Sequence, residues 1–253
     1  MVVASKVSPT HLAPAELRKA CDASLRRLKS DYIDLYQVHW PNPQVPLAET
    51  MAALARLRQQ GKIRFAGVSN FGARYLREAL SAGEVVSDQL PYSLLWRPIE
   101  HEVQPFCAER GVSILCYSPM CQGLLTGKFA RPEDVPPGRA RSRLFRPDRP
   151  QARHRDAGFE EGTFAALDRL REICRSAGVF MGPAALAWAL AQPAVTSVIA
   201  GARSAEQARA NAAAGDLELP ADVLAALAEA TEPVKQYAGA NCDMWQSQSR
   251  IDA

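Results

Sequence analysis

The chain has 253 residues, 47% of them hydrophobic and 23% charged, which suits one folded α/β domain with a sizeable core. Its net charge of +3 is too small to argue for nucleic acid or an anionic membrane, and no apolar run reaches the length of a membrane span. Six cysteines without C-x-x-C pairs or zinc-type spacing read as reduced thiols and give no metal site; with no signal-peptide pattern, this points to the cytoplasm.

Short β-rich runs alternate with longer helical stretches. Val2 to Val7 reads as a strand, and Ala15 to Leu28 as a helix with Pro14 at its first turn. Tyr32 to His39 (YIDLYQVH) is a second strand. Leu47 to Gln59 is a helix with Gly61 beyond its end. Ile63 to Val68 and Val85 to Gln89 are further strands, followed by helices over Ala73 to Leu80 and Ile99 to Arg110. Val112 to Tyr117 is the fifth strand. Helices follow at Thr163 to Ser176 and Pro183 to Ala191. Val195 to Ile199 is the sixth strand, with helices at Ala205 to Ala214 and Pro220 to Ala230 and an irregular tail over 231–253.

Strands that alternate with helices imply a parallel sheet covered by helices. Length and repeat suggest a (βα)8 barrel of the TIM type, incomplete at about six units, forming a single domain over 1–253. A doubly wound open sheet is the alternative. No G-x-G-x-x-G follows any strand, which weakens a Rossmann reading. One segment is irregular: 129–158 carries eight arginines among prolines. It reads either as a long solvated loop or as a basic flap that orders over an anionic ligand.

In such barrels the working residues sit at the C-terminal ends of the strands. Those ends carry Lys6, His39, Ser69-Asn70, Gln89, Tyr117 through Met120, and Gly201-Ala202-Arg203. Each has an ordinary structural explanation: a solvated lysine, a satisfied core histidine, a Ser-Asn helix cap. Their coincidence on one face argues for a site. The last group adds a mechanism, because Ser204 can cap the helix that follows. A helix N-terminus attracts phosphate, and the guanidinium of Arg203 suits one, which favours NADP(H) over NAD(H).

Four runs resemble the aldo-keto reductase family, in family order: SLRRLKSDYIDLYQVHWPNP (24–43), GKIRFAGVSNF (61–71), CYSPMCQGLLTGKF (116–129) and SVIAGARSAEQARAN (197–211). The resemblance implies reduction of an aldehyde or ketone by NADP(H), bound without a Rossmann fold. It implies that Ser69, Asn70 and Gln89 hold the nicotinamide carboxamide and that Tyr117 stacks on the ring. Ser118, Pro119, Met120, Cys121 and Gln122 would line the ribose–pyrophosphate channel, and Lys128 with Arg139 or Arg141 would contact the pyrophosphate. Arg203 would meet the 2′-phosphate, Gln207 and Asn211 would flank the adenine, and Gly201 and Ala202 would also belong to the cofactor-binding set. Many members have Glu just before that Asn, where this chain has Ala210.

The family's catalytic lysine and histidine match Lys6 and His39. Its catalytic tyrosine and aspartate belong to a strand preceding the lysine strand, and only five residues precede Lys6. The expectation is therefore a truncated member lacking two βα units and the general acid. Its open barrel edges would favour homo-oligomer pairing. The alternative is a module that binds NADP(H) without efficient turnover, as the similar potassium-channel β subunits suggest. Trp245 in the tail either walls a small-aldehyde pocket or packs on the exterior.

Overall fold

A computed structural model of the chain describes residues 1–251. It contains six strands: β1 (Ala4–Val7), β2 (Ile33–Val38), β3 (Ile63–Ser69), β4 (Ser87–Pro91), β5 (Ser113–Tyr117) and β6 (Val195–Ile199). They follow one another in the sheet in chain order, so β1 and β6 are its two ends. The pairs β1–β2, β2–β3 and β3–β4 are parallel, as helical crossovers require. The connecting helices are α1 (Pro14–Leu28), α2 (Leu47–Gln59), α3 (Ala73–Ala82), α4 (Val103–Arg110), α5 (Glu160–Ser176), α6 (Met181–Leu190), α7 (Ala205–Ala213), α8 (Ala221–Ala230) and α9 (Glu232–Ala238). This is the α/β arrangement of a (βα)8-type fold with six strands present. Among the described residues, no single helix is long and apolar enough to cross a membrane.

Several element ends differ from the sequence expectation, each for a local reason. β1 begins at Ala4 because the Val3 N–H donates to Asp34 Oδ2 (2.9 Å) rather than to a strand ladder. The helix expected over Ile99 to Arg110 is broken. Pro98–His101 forms a 3-10 turn, and α4 starts only after Glu102, whose φ/ψ of −144°/−48° is not helical. The tail is not wholly irregular. Its start folds into α9, with Pro233 in the first turn, a position that proline favours. Gly61 does sit beyond α2 with φ +71°, its N–H bonded to the Arg58 carbonyl.

The described chain divides into two compact units. The first comprises Met1–Leu90, Phe106–Ile114 and the residues from Arg250; the second comprises Pro91–Pro105 and Leu115–Ser249. In the first, Leu17 and Cys21 of α1, Ile33, Tyr36 and Val38 of β2, Leu54 of α2 and Leu76 of α3 are completely buried. In the second, Trp96, Trp188, Leu124, Leu167 and Leu170 form the core. That core also holds a charged cluster. Arg97 donates to both oxygens of Glu100 (2.8 and 2.9 Å) and to the Ala228 carbonyl (2.8 Å), while Lys235 Nζ lies 2.9 Å from Glu100. Such a cluster tolerates burial because each charge meets its counterpart.

The arginine-rich segment 129–158 is not a solvated loop. Ala140, Ser142, Arg143, Leu144, Phe145 and His154 are buried. Arg143 pairs with Asp156 and donates to the carbonyl of Asn241 (3.1 Å), and its backbone N–H bonds to the Met244 carbonyl. The Tyr237 hydroxyl accepts from the Gly158 N–H (2.8 Å) and donates to the Arg143 carbonyl, while its ring stacks on Phe159. Flap and tail are thus laced together through Arg143 and Tyr237.

Gly158 has φ +83°, and a Cβ there would lie 2.5 Å from the Phe145 carbonyl group. Both the left-handed backbone and the backbone contact oppose any larger residue. Gly158→Ala should destabilise the second unit by about 2–5 kcal/mol, combining the costs of strain and overpacking. A thermal melt should show a transition lowered by roughly 5–15 °C. An unchanged melting point would mean that the flap is not anchored this way.

Candidate functional site

The polar strand ends fall into two clusters, one in each unit. In the first unit the geometry follows from parallel pairing, in which partner residues share a face. Lys6 pairs with Gln37 and Gln37 with Gly67, while two positions further along Ser69 pairs with Gln89. His39, two residues after Gln37, follows the end of β2 and is fixed there by its N–H bond to the Val7 carbonyl (3.0 Å).

Ser69, Asn70 and Gln89 are buried and bonded to one another. Ser69 Oγ donates to the Gln89 carbonyl (2.9 Å), and so does the Asn70 backbone N–H (3.0 Å). Asn70 Nδ2 donates to Ser69 Oγ (3.0 Å) and to the His39 carbonyl (3.1 Å). Asn70 sits at φ +60°, a conformation that asparagine adopts more readily than most residues, and one that concentrates at ligand sites. The site therefore holds a network of fixed amide and hydroxyl groups rather than mobile side chains.

Lys6 is part-buried and His39 is exposed at the end of β2, and both are biased toward neutrality. Burial pushes the Lys6 ammonium below its ordinary range. Partial desolvation by the surrounding protein does the same to the His39 imidazole, and the nearby Lys6 charge adds to it. A neutral imidazole beside a cation can donate to or orient a carbonyl oxygen without itself carrying charge. None of the tyrosines of this unit joins the pair. Tyr36 pairs with Ser5, on the opposite parity from Lys6 and Gln37, and burial pushes its phenol to about 12. Tyr32 lies under the Arg64 guanidinium, and Tyr75, on α3, lies against Phe71.

The second unit carries a cavity of about 740 Å³ lined by residues after β5, from the flap, and after β6. Three cations converge there: Lys128, Arg139 and Arg203. Among the described residues the lining contains no Asp or Glu. Lys128 is held below the usual lysine range by desolvation and by the charges of Arg139 and Arg203. Gly123, at φ +93°, gives the cations room, since a Cβ there would stand 2.8 Å from Arg139 Nη1. Beside Arg203 begins α7. Ser204 caps it by accepting from the Gln207 N–H (3.2 Å), and Gln207 in turn accepts from the Arg203 N–H (2.9 Å). Asn211 is tied to the Gly201 carbonyl (3.2 Å).

Of the residues expected to bind the cofactor, Ser118, Pro119, Met120, Gln122, Lys128, Gly201, Ala202, Arg203, Gln207 and Asn211 line this cavity. Cys121 does not. The chain after β5 passes through positive φ at Ser118, Cys121, Gln122 and Gly123, and this turns Cys121 into the core, where it is completely buried. Tyr117, part-buried at the end of β5, is not among the lining residues either. Of the two flap candidates, Arg139 lines the cavity, whereas Arg141 stacks on Trp245. That contact engages the indole ring within the second unit. The site expected from the sequence did not include Gln37, an amide between the buried Tyr36 and Val38 of β2. Its two-residue spacing from His39 was the available signal.

The aldo/keto reductase family model matches residues 1–232. The NADH-specific methylglyoxal reductase of Escherichia coli (strain K12) is 37% identical over 231 residues, covering 88% of this chain and 67% of that protein. The aldo-keto reductase YhdN of Bacillus subtilis (strain 168) is 33% identical over 205 residues, or 79% of this chain and 58% of its own length. The crystal structure of an aldo/keto reductase from Klebsiella pneumoniae in complex with NADP and acetate superimposes with a TM-score of 0.70 at 29% identity, covering 94% of this chain and 71% of that one.

The Lys6–His39 coupling has a direct check. Lys6→Met removes the nearby charge but leaves the burial. The His39 imidazole should then titrate at higher pH than in the unaltered chain, yet still below an ordinary histidine, as followed by NMR of its ring protons. A histidine depressed in this way favours the folded state above its unfolded pKa and opposes it as pH falls through about 6.5. The variant should accordingly lose less stability on acidification. No movement of the His39 titration would separate the two residues.

Proposed function

The chain belongs to the aldo/keto reductase family, and we propose that it serves NADP(H)-dependent interconversion of a small aldehyde or ketone and its alcohol. The observation that carries this reading is the acid-free convergence of Lys128, Arg139 and Arg203 around one cavity beside a capped helix N-terminus. Three neighbouring cations with no carboxylate among them attract an anion, and a phosphate-bearing nucleotide is such an anion. In the solved relative the bound cofactor is NADP, and the methylglyoxal reductase is NADH-specific. Arg203 supports the phosphorylated form here, because a guanidinium at a helix start suits a 2′-phosphate.

When bound, NADPH supplies the hydride. The chain's own residues bind, orient and polarise. Lys128 and Arg139 hold phosphate oxygens, and Ser69, Asn70 and Gln89 offer the fixed donors and acceptors that a carboxamide requires. His39, kept neutral, directs a carbonyl oxygen, and Lys6 sets the positive potential beside it. A second reading, cofactor binding without efficient turnover by these 253 residues, is favoured by one observation. No tyrosine of the first unit stands with Lys6 and His39, and general acid catalysis typically contributes about 10²–10⁴-fold.

NADPH titration followed by its fluorescence tests the binding reading, and methylglyoxal serves as the carbonyl probe for turnover. Binding with turnover reduced by about 10²–10⁴-fold relative to the methylglyoxal reductase is the expected pair of results. Failure to bind either dinucleotide would sink the proposal. Arg203→Ser should weaken NADPH roughly 10- to 100-fold while barely affecting NADH, because only the phosphorylated form loses a charge-assisted bond. An equal loss for both would assign Arg203 to the pyrophosphate instead.

A further inference from the structure

Gln37 is fully buried in β2, yet its amide is only half satisfied. Nε2 donates to Gln89 Oε1 (3.2 Å), while Oε1 has no hydrogen-bond partner among the described residues. Leaving a buried polar atom unpaired is destabilising, and a leucine of similar volume would avoid that cost. The surroundings are shaped around this side chain. Gly67 is its neighbour on β3, and a Cβ there would come within 3.1 Å of Gln37 Cγ and 2.7 Å of Ser87 Oγ. Ser87 Oγ is likewise buried without a partner. Any larger residue at position 67 would push Gln37 away from Gln89.

The consequence concerns the direction of the Gln89 amide. A carboxamide presents an acceptor on one side and donors on the other. The Gln37 N–H engages the Gln89 oxygen from within the unit. The Gln89 backbone is fixed as well, its carbonyl accepting from Ser69 Oγ and the Asn70 N–H. The Gln89 NH2 group is therefore the part left to a ligand.

We infer that Gln37 is a positioning residue that locks Gln89 with its amide N–H groups toward the ligand, so that the site selects a carbonyl oxygen on the cofactor's pyridine substituent. This rests on the proposed NADP(H) function. Gln37 touches neither cofactor nor substrate. It acts through Gln89, and the selectivity it sets is for an acceptor oxygen rather than for an amide as such.

The test uses the full chain and three ligands: NADP+, its 3-acetylpyridine analogue, which keeps the carbonyl but lacks the NH2, and adenosine 2′,5′-bisphosphate, which lacks the nicotinamide half. The unaltered chain should bind the acetylpyridine analogue within a few-fold of NADP+. Rejection of the analogue by tenfold or more would overturn the assignment, whatever the variants do. Gln37→Leu and Gln37→Met should weaken NADP+ roughly 5- to 50-fold, as expected when a buried partner is removed, and leave the bisphosphate unchanged. Equal weakening of both ligands would mean a merely structural role, and no change in either would remove Gln37 from the site; both overturn the inference. If the unaltered chain binds none of the three, the NADP(H) reading itself fails, a result distinct from loss of the Gln37 effect alone.

Discussion

In a parallel sheet, residues paired across strands point to the same face, and the first unit is organised by that constraint. The pairings Lys6–Gln37–Gly67 and Ser69–Gln89 set a lysine, two amides and a hydroxyl side by side where a purely structural sheet would place apolar residues. A slip of one residue in β2 would turn Gln37 outward and bring Tyr36 and Val38 to its face. Register is specified because the alternative set, Tyr36 and Val38, is wholly buried. The polar row is held in place by the hydrophobic residues that alternate with it.

The second unit reaches its charge arrangement differently. Its cations come from three separate stretches of chain, and what brings Arg139 into the cavity is the anchoring of the flap some residues away. Arg143, paired with Asp156 and bonded to tail carbonyls, fixes the flap, and Arg146 and Arg149 are occupied by Glu160. Of the eight flap arginines, Arg139 is the one that lines the cavity. A sequence rich in arginine thus uses several of them to hold the backbone and one to line the cavity.

Much of this was legible because it depends on local chemistry. Strand ends mark themselves by polar residues after apolar runs, so Lys6, His39, Ser69-Asn70 and Gln89 could be placed. Ser204 before a helical stretch signals a cap, and Gly61 a helix end. What stayed hidden depends on contacts distant in sequence or on backbone parity. The tail carbonyls that hold the Arg143 guanidinium lie about a hundred residues away. Cys121 reads as a channel residue until a run of left-handed residues reverses its direction. Gln37 looks like an ordinary strand residue in the sequence, because its bond to Gln89 depends on β4 lying one strand beyond β3.

Both clusters share an electrostatic state. In each, a lysine lies below its ordinary range, Lys6 through burial and Lys128 through burial together with two arginines, and no carboxylate of the described residues stands within ion-pair distance of either. A cation in that condition gains from any negative charge that arrives. Under the proposed function the group arriving at Lys128 would be a full anion, so the gain would appear as binding. Beside Lys6 and His39 it would be a carbonyl oxygen, nearly neutral when bound and negative once hydride is transferred to its carbon. Interactions that strengthen only as charge develops accelerate a reaction instead of tightening the ground state. On the proposed function, the same physical device, an uncompensated cation, would serve binding in one unit and polarisation in the other.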